Sequence, residues 1–148
     1  MLDVINGDRS SWITVLLTVL SFGAVVAWIR SRWLVVTVDG RSMLPTFADG
    51  DRVVVRRRTL TDVRRGDVVV LEPPGSARER YWNIKRVTAL PGDAVSMDVA
   101  GCAAGDRVPP GSLVVLGDNA DSADSRQRGF YQGDRLLGVV VRPLGRRA

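Results

Sequence analysis

The stretch Asp39-Gly40-Arg41-Ser42-Met43-Leu44-Pro45-Thr46-Phe47-Ala48-Asp49-Gly50-Asp51-Arg52-Val53-Val54-Val55-Arg56-Arg57-Arg58 holds a turn and a strand in one run. Gly40 and Pro45 bracket Ser42, and a small polar residue between a glycine and a proline marks a turn of fixed backbone. Val53 to Val55 is a β-branched run and reads as a strand. Ser42 therefore sits in a stiff loop that feeds a strand. Such a loop can hold a nucleophile. It is also a common place for an ordinary turn serine.

The same grammar continues outward. Further strands are expected at residues 34–38, 68–71, 83–89, 94–97, 113–116 and 137–141, with the run after Ser42 covering 52–56. Gly-Asp pairs at Gly50-Asp51, Gly66-Asp67, Gly92-Asp93, Gly117-Asp118 and Gly133-Asp134 punctuate them. Glycine supplies positive φ and aspartate bonds its own backbone, so these are turns. Short strands with regular turn signals predict a mainly β domain, small, antiparallel and partly closed to protect its edges. Residues 34–148 are enough for one modest core.

Ahead of that domain, residues 10–29 carry no charge. As a helix they span roughly 30 Å, the thickness of a bilayer core. Trp12 lies near one end and Trp28 and Trp33 near the other, as interfacial aromatics do. Arg30 and Arg32 close the run. A buried core helix would be amphipathic, and this one is apolar all round. A cleaved leader would need a basic start and a small-residue cut site, and neither stands here. The expected organisation is a tail at 1–9, a transmembrane anchor at 10–29 and a β domain at 34–148. Counting basic residues, Arg30, Arg32 and Arg41 against Arg9 place the C-terminal side in the cytoplasm.

The chain has no histidine, which excludes a Ser-His-Asp triad. Of its 21 basic residues only Lys85 is a lysine. Arginine keeps its proton in a protein, whereas a buried lysine can lose it. A lone lysine among arginines is explained either by a need for a neutral amine or by codon bias. Side chains alternate along a strand, so Lys85 shares a face with Asn83 and Val87. If that face is the core, the amine is desolvated and its pKa falls. A neutral Lys85 within reach of Ser42 could act as its general base. The plainer alternative is an exposed strand lysine paired with an acid.

The net charge of +5 would suit nucleic acid or anionic lipid. No basic patch interleaved with aromatics and no zinc spacing supports nucleic acid. Cys102 is the single cysteine, so neither a disulfide within the chain nor a metal cluster is expected. The loop from Gly117 to Arg126 holds Asp118, Asp121 and Asp124, but the spacing is wrong for a calcium loop. Asx turns and an Asp124–Arg126 pair account for it more simply.

Taken in order, Ser42-Met43-Leu44-Pro45-Thr46, then Lys85-Arg86-Val87 running into Pro91-Gly92-Asp93, then Gly117-Asp118-Asn119 with Ser122-Ala123-Asp124-Ser125-Arg126, resemble the motifs of bacterial type I signal peptidases, which are Ser-Lys membrane proteases. The resemblance implies that Ser42 is the nucleophile and Lys85 the general base. It implies that Ser122 orients the lysine, that Asp124 and Arg126 brace the active-site loop, and that Met43 lies beside the substrate groove. No metal or cofactor is implied. The implied partners are the signal peptides of preproteins, cut after small residues at the −3 and −1 positions, and membrane lipids. Nucleic acid is not implied, and the chain is expected to be a monomer. The implied location is the cell membrane, single-pass, with the catalytic domain outside the cytoplasm. That orientation opposes the arginine count, but long C-terminal domains translocate largely regardless of flanking charge. Some family members carry a serine two residues before the nucleophile to help bind the oxyanion. Gly40 stands there in this chain, so the backbone N–H of Ser42 must serve. Ala120 replaces the arginine usual after Gly-Asp-Asn, and no large second domain is inserted between Asp93 and Gly117. A peptidase dedicated to one precursor, or a tethered β domain without activity, would carry the same outline.

Overall fold

The computed structural model describes residues 6–74, 82–95, 99–103 and 105–146. It divides into two compact units, Met1–Trp33 and Leu34–Ala148.

The first unit is one helix, α1 (Asn6–Arg32), with Arg30 and Arg32 in its last turn. It extends past the expected 10–29 at both ends. Every side chain from Ser11 to Arg32 is exposed, and this stretch of 22 residues is apolar enough to cross a membrane. Two of its hydroxyls bond back to the helix. Thr18 Oγ1 donates to the Thr14 carbonyl at 2.8 Å and Ser31 Oγ to the Trp28 carbonyl at 2.7 Å. Such back-bonding hides hydroxyls that an apolar medium could not satisfy. Arg32 lies over the Trp28 ring, 5.6 Å from its centre, a cation–π contact at the end of the apolar run.

The second unit is a curled half-barrel of seven strands. They are β1 (Trp33–Thr37), β2 (Asp51–Arg56), β3 (Val68–Leu71), β4 (Asn83–Ala89), β5 (Ser112–Leu116), β6 (Tyr131–Gln132) and β7 (Leu136–Arg146). Their order in the sheet is β1-β2-β7-β3-β4-β5-β6, so β7 returns to lie between β2 and β3. The pairings of β2 to β6 and of β7 are antiparallel. The mainly β, antiparallel expectation holds. The expected strand at 94–97 runs into residues 96–98, which lie outside the described residues; of its described part, Ala94 makes an isolated bridge to Arg107. β6 and a four-residue helix, α2 (Ser125–Arg128), had no signal of their own.

β7 can run beside two strands because of Gly138. A Cβ there would meet the Arg56 carbonyl well inside contact distance, so only glycine lets β2 approach. Register shifts in the β2–β7 pair bend the ladder where Pro143, which has no N–H to give, faces Val53.

Both faces of the sheet carry apolar cover. On one face Val53, Val55, Val68, Val70 and Ile84 pack with Met43 and Phe47. On the other Val69, Leu71, Val87, Leu113 and Val115 pack with Val63 and Tyr131. β3 is buried along its whole length, which explains why its sequence is an unbroken apolar run. Lys85 pairs with Val69 in register, so its side chain starts from the second of these faces.

Candidate active site

Lys85 sits mid-strand on β4, between β3 and β5, and is only 3% exposed. Its Nζ donates to Ser122 Oγ at 2.7 Å. Burial drives the pKa down to about 8, Arg128 and Arg126 add to the fall, and Asp124 opposes it. An amine so placed is partly neutral near neutral pH and can take a proton from a hydroxyl.

The last β4–β5 pair joins Arg86 to Leu116, which puts Gly117 alongside Lys85. A Cβ at Gly117 would fall well inside contact distance of both the Ser122 side chain and the Ser42 carbonyl. Its bare Cα is therefore the space in which the Ser42 turn, the Ser122 hydroxyl and the Lys85 amine come together. Asn119 ties the same parts: its N–H donates to the Ser42 carbonyl at 3.1 Å and its Nδ2 to the Arg41 carbonyl at 3.0 Å. Ser122 N–H in turn donates to the Asn119 carbonyl at 3.1 Å.

Asp124 is fully buried and serves as the N-cap of α2. Its carboxylate accepts from Gly117 N at 2.8 Å, from Arg126 N at 3.2 Å, and from Arg126 Nε and Nη2 at 2.9 and 2.8 Å. Gln127 closes the capping box by accepting from Asp124 N at 3.0 Å. Burial pushes this carboxyl up, but Arg126 and the two backbone donors outweigh it and the net direction is down. The Asp124–Arg126 pair is thus a brace built around a helix cap.

A second brace lies on the opposite face of β4. Arg86 grips Asp118 with Nε at 2.8 Å and Nη2 at 2.6 Å, and its Nη1 reaches the Gly66 carbonyl at 3.0 Å. Thr46 Oγ1 donates to the same Asp118 carboxylate. Arg86 holds the Asp118 carboxyl below its ordinary value. One residue from each of the three motifs meets here.

Ser42 is half-buried and lines a cavity of about 230 Å³ between residues 36–39 and 82–84. Val36, Val38, Trp82 and Ile84 give it apolar walls. Gly40 has φ +86 and donates its N–H to Asp49 Oδ1 at 2.8 Å. Space around its Cα is open, so backbone conformation rather than crowding disfavours a side chain there. Met43 is fully buried in the core against Phe47 and is not among the residues that line this cavity.

The structure thus gathers Lys85, Ser122, Asp124, Arg126 and the Ser42 turn. Gly117, Asp118, Arg86 and Thr46 join them without having been singled out. Gly117 and Asp118 carried the signal of a Gly-Asp turn and stood in a quoted motif, but neither signal gave them a role of their own. Arg86 follows Lys85 directly and so points away from it, which is why strand alternation directed attention elsewhere.

Comparison with known proteins accords with this arrangement. The family described as "Signal peptidase, peptidase S26" matches residues 9–102 and 97–144. "Signal peptidase I" of Bacillus caldolyticus is 30% identical over 70% of this chain and 74% of its own length. "Probable signal peptidase I-1" of Synechocystis is 31% identical over 70% of this chain and 67% of its own. "Signal peptidase I T" of Bacillus subtilis is 28% identical over 69% of this chain and 68% of its own. Fold and matches put the chain in the class of serine peptidases, which are hydrolases. Within that class it belongs to the signal peptidase family, peptidase S26, and is of the bacterial type I kind.

Proposed function

We propose that this chain is a membrane-anchored endopeptidase that removes N-terminal signal peptides from exported preproteins, with Ser42 as nucleophile and Lys85 as general base. The observation that carries the reading is the buried amine of Lys85, 2.7 Å from Ser122 and beside the Ser42 turn. Neutral Lys85 takes the proton of Ser42 Oγ, and Oγ attacks the scissile carbonyl. Lys85 returns that proton to the leaving amine, and an acyl ester remains on Ser42. Water, deprotonated by Lys85, hydrolyses the ester and restores the enzyme. Ser122 holds Nζ in line, and Asp124 with Arg126 holds the loop that carries Ser122. The Ser42 N–H serves the oxyanion, since the positive φ of Gly40 leaves no ordinary place for a side-chain donor. The cavity between residues 36–39 and 82–84 takes an extended peptide as an added strand, and its apolar walls select small side chains.

α1 serves as the single anchor, and the β domain works on the extracytoplasmic side. Purified full-length chain in phospholipid vesicles should cleave a preprotein. Ser42→Ala and Lys85→Arg should each lower kcat by at least about 10³-fold with the fold intact by circular dichroism. Arginine keeps a positive charge but cannot become neutral, so normal cleavage by Lys85→Arg would refute the proposed base.

A further inference from the structure

Tyr131 is fully buried on β6, and its hydroxyl is the one buried side-chain polar atom without a hydrogen-bond partner among the described residues. Such a group destabilises a fold unless it is used, and a phenyl ring would fill the same space without the defect.

Register shows what the ring faces. Tyr131 pairs with Leu113, Leu113 shares a face with Val115, and Val115 pairs with Val87. Val87, Lys85 and Asn83 alternate onto that same face of β4. Leu71, the register partner of Asn83, packs in the cluster that contains Tyr131. Asn83 also lines the cavity that holds Ser42, where it is a polar group among Val36, Val38, Trp82 and Ile84. Asn83 therefore borders the groove and lies toward the tyrosine.

We propose that Asn83 is a substrate-contacting residue of the Ser42 groove, its carboxamide oxygen accepting a hydrogen bond from a backbone N–H of the bound peptide, and that Tyr131 is the positioning residue that orients it. The inference rests on the peptidase reading above, because Asn83 meets a peptide only if that groove holds one. A carboxamide has one accepting and one donating end. A contact with Asn83 that lowers the phenol pKa is that of an N–H donor, so Nδ2 faces the Tyr131 hydroxyl oxygen and Oδ1 is left for the groove. Asn83 already acts on the phenol, pulling its pKa down against the larger upward push of burial, though the pair falls short of hydrogen-bond geometry. Closing that gap when a peptide fills the groove satisfies the hydroxyl and fixes the amide in one step.

The test is preprotein cleavage by the full-length chain in vesicles, comparing wild type, Tyr131→Phe, Asn83→Ala, Asn83→Ser, the Tyr131→Phe/Asn83→Ala double variant and Ser42→Ala, each with a thermal melt. A contact remote from the scissile bond changes binding more than chemistry. Tyr131→Phe should raise KM by about 3–10-fold with kcat within about twofold, and its melting temperature should not fall. Both Asn83 variants should raise KM at least as far. In the Asn83→Ala background Tyr131→Phe should add less than about 1.5-fold. A wild-type KM in Tyr131→Phe, or an equal effect with and without Asn83, overturns the inference. Cleavage that survives Ser42→Ala, or none by wild type, refutes the peptidase reading and this inference with it. Cleavage that depends on Ser42 but ignores Tyr131 refutes the inference alone.

Discussion

Lys85 owes its chemistry to what surrounds it. Moving an ammonium from water into the sheet costs several kcal/mol, and one hydroxyl and one carboxylate beside it only partly offset that cost. The protein therefore carries an amine that gives up its proton early, near pH 8 instead of 10.5. Gly117 makes the arrangement possible by occupying almost no space. Gly117→Ala should displace Ser122 Oγ, the Ser42 turn or both, and a misplacement on the order of 1 Å costs about 10²-fold in rate. A loss of that size in kcat/KM, with near-native circular dichroism, is the expected result; activity within about threefold of wild type would mean the cluster tolerates rearrangement. At this scale the sequence was unevenly legible. Lys85 stood out as the single lysine, on a strand whose alternation gave its neighbours. The ordering role of Ser122 came through family resemblance. The steric role of Gly117 was hidden, because the atoms that crowd it belong to residues 42 and 122 and their closeness exists only once the chain has folded.

Among the elements, the bidentate Arg86–Asp118 pair does for the motifs what the α2 cap does for the loop. It joins β4, the turn after β5 and, through Thr46, the loop after Ser42. The Asp118 side chain is 15% exposed and that of Arg86 35% exposed, so solvent screens the pair in part. A net contribution of about 1 kcal/mol is reasonable. Arg86→Gln should lower the melting temperature by about 3–5 °C, as expected for a loss of that size in a domain spanning Leu34–Ala148. It should also reduce kcat/KM by about tenfold, because it frees the Ser42 loop from β4. Unchanged kinetics with a lowered melting point would make the pair a stability element only. Strands β1 to β5 were readable because valine runs and Gly-Asp turns agree. β6 is too short to show a period, and α2 has only four residues, set by its cap. The position of β7 between β2 and β3 was not readable at all, since non-local pairing leaves no periodic trace.

For the whole molecule, the division between an apolar helix and a β domain was the most legible feature, because bilayer length and strand period are both one-dimensional signals. Which side of a membrane the domain occupies is not such a signal, and arginine counting and family resemblance point opposite ways. The proposed mechanism depends less on that geometry than on a single proton. A lysine whose pKa is lowered is charged and inactive as a base below that pKa, and neutral and active above it. The measurement that tests this most directly is kcat/KM for preprotein cleavage by the full-length chain in vesicles, from pH 6 to pH 10. The account expects a rise of about tenfold per pH unit that levels off near pH 8, where Lys85 loses its proton. A flat profile between pH 6 and 8, or a rise that continues to the ordinary lysine value of 10.5, would contradict it.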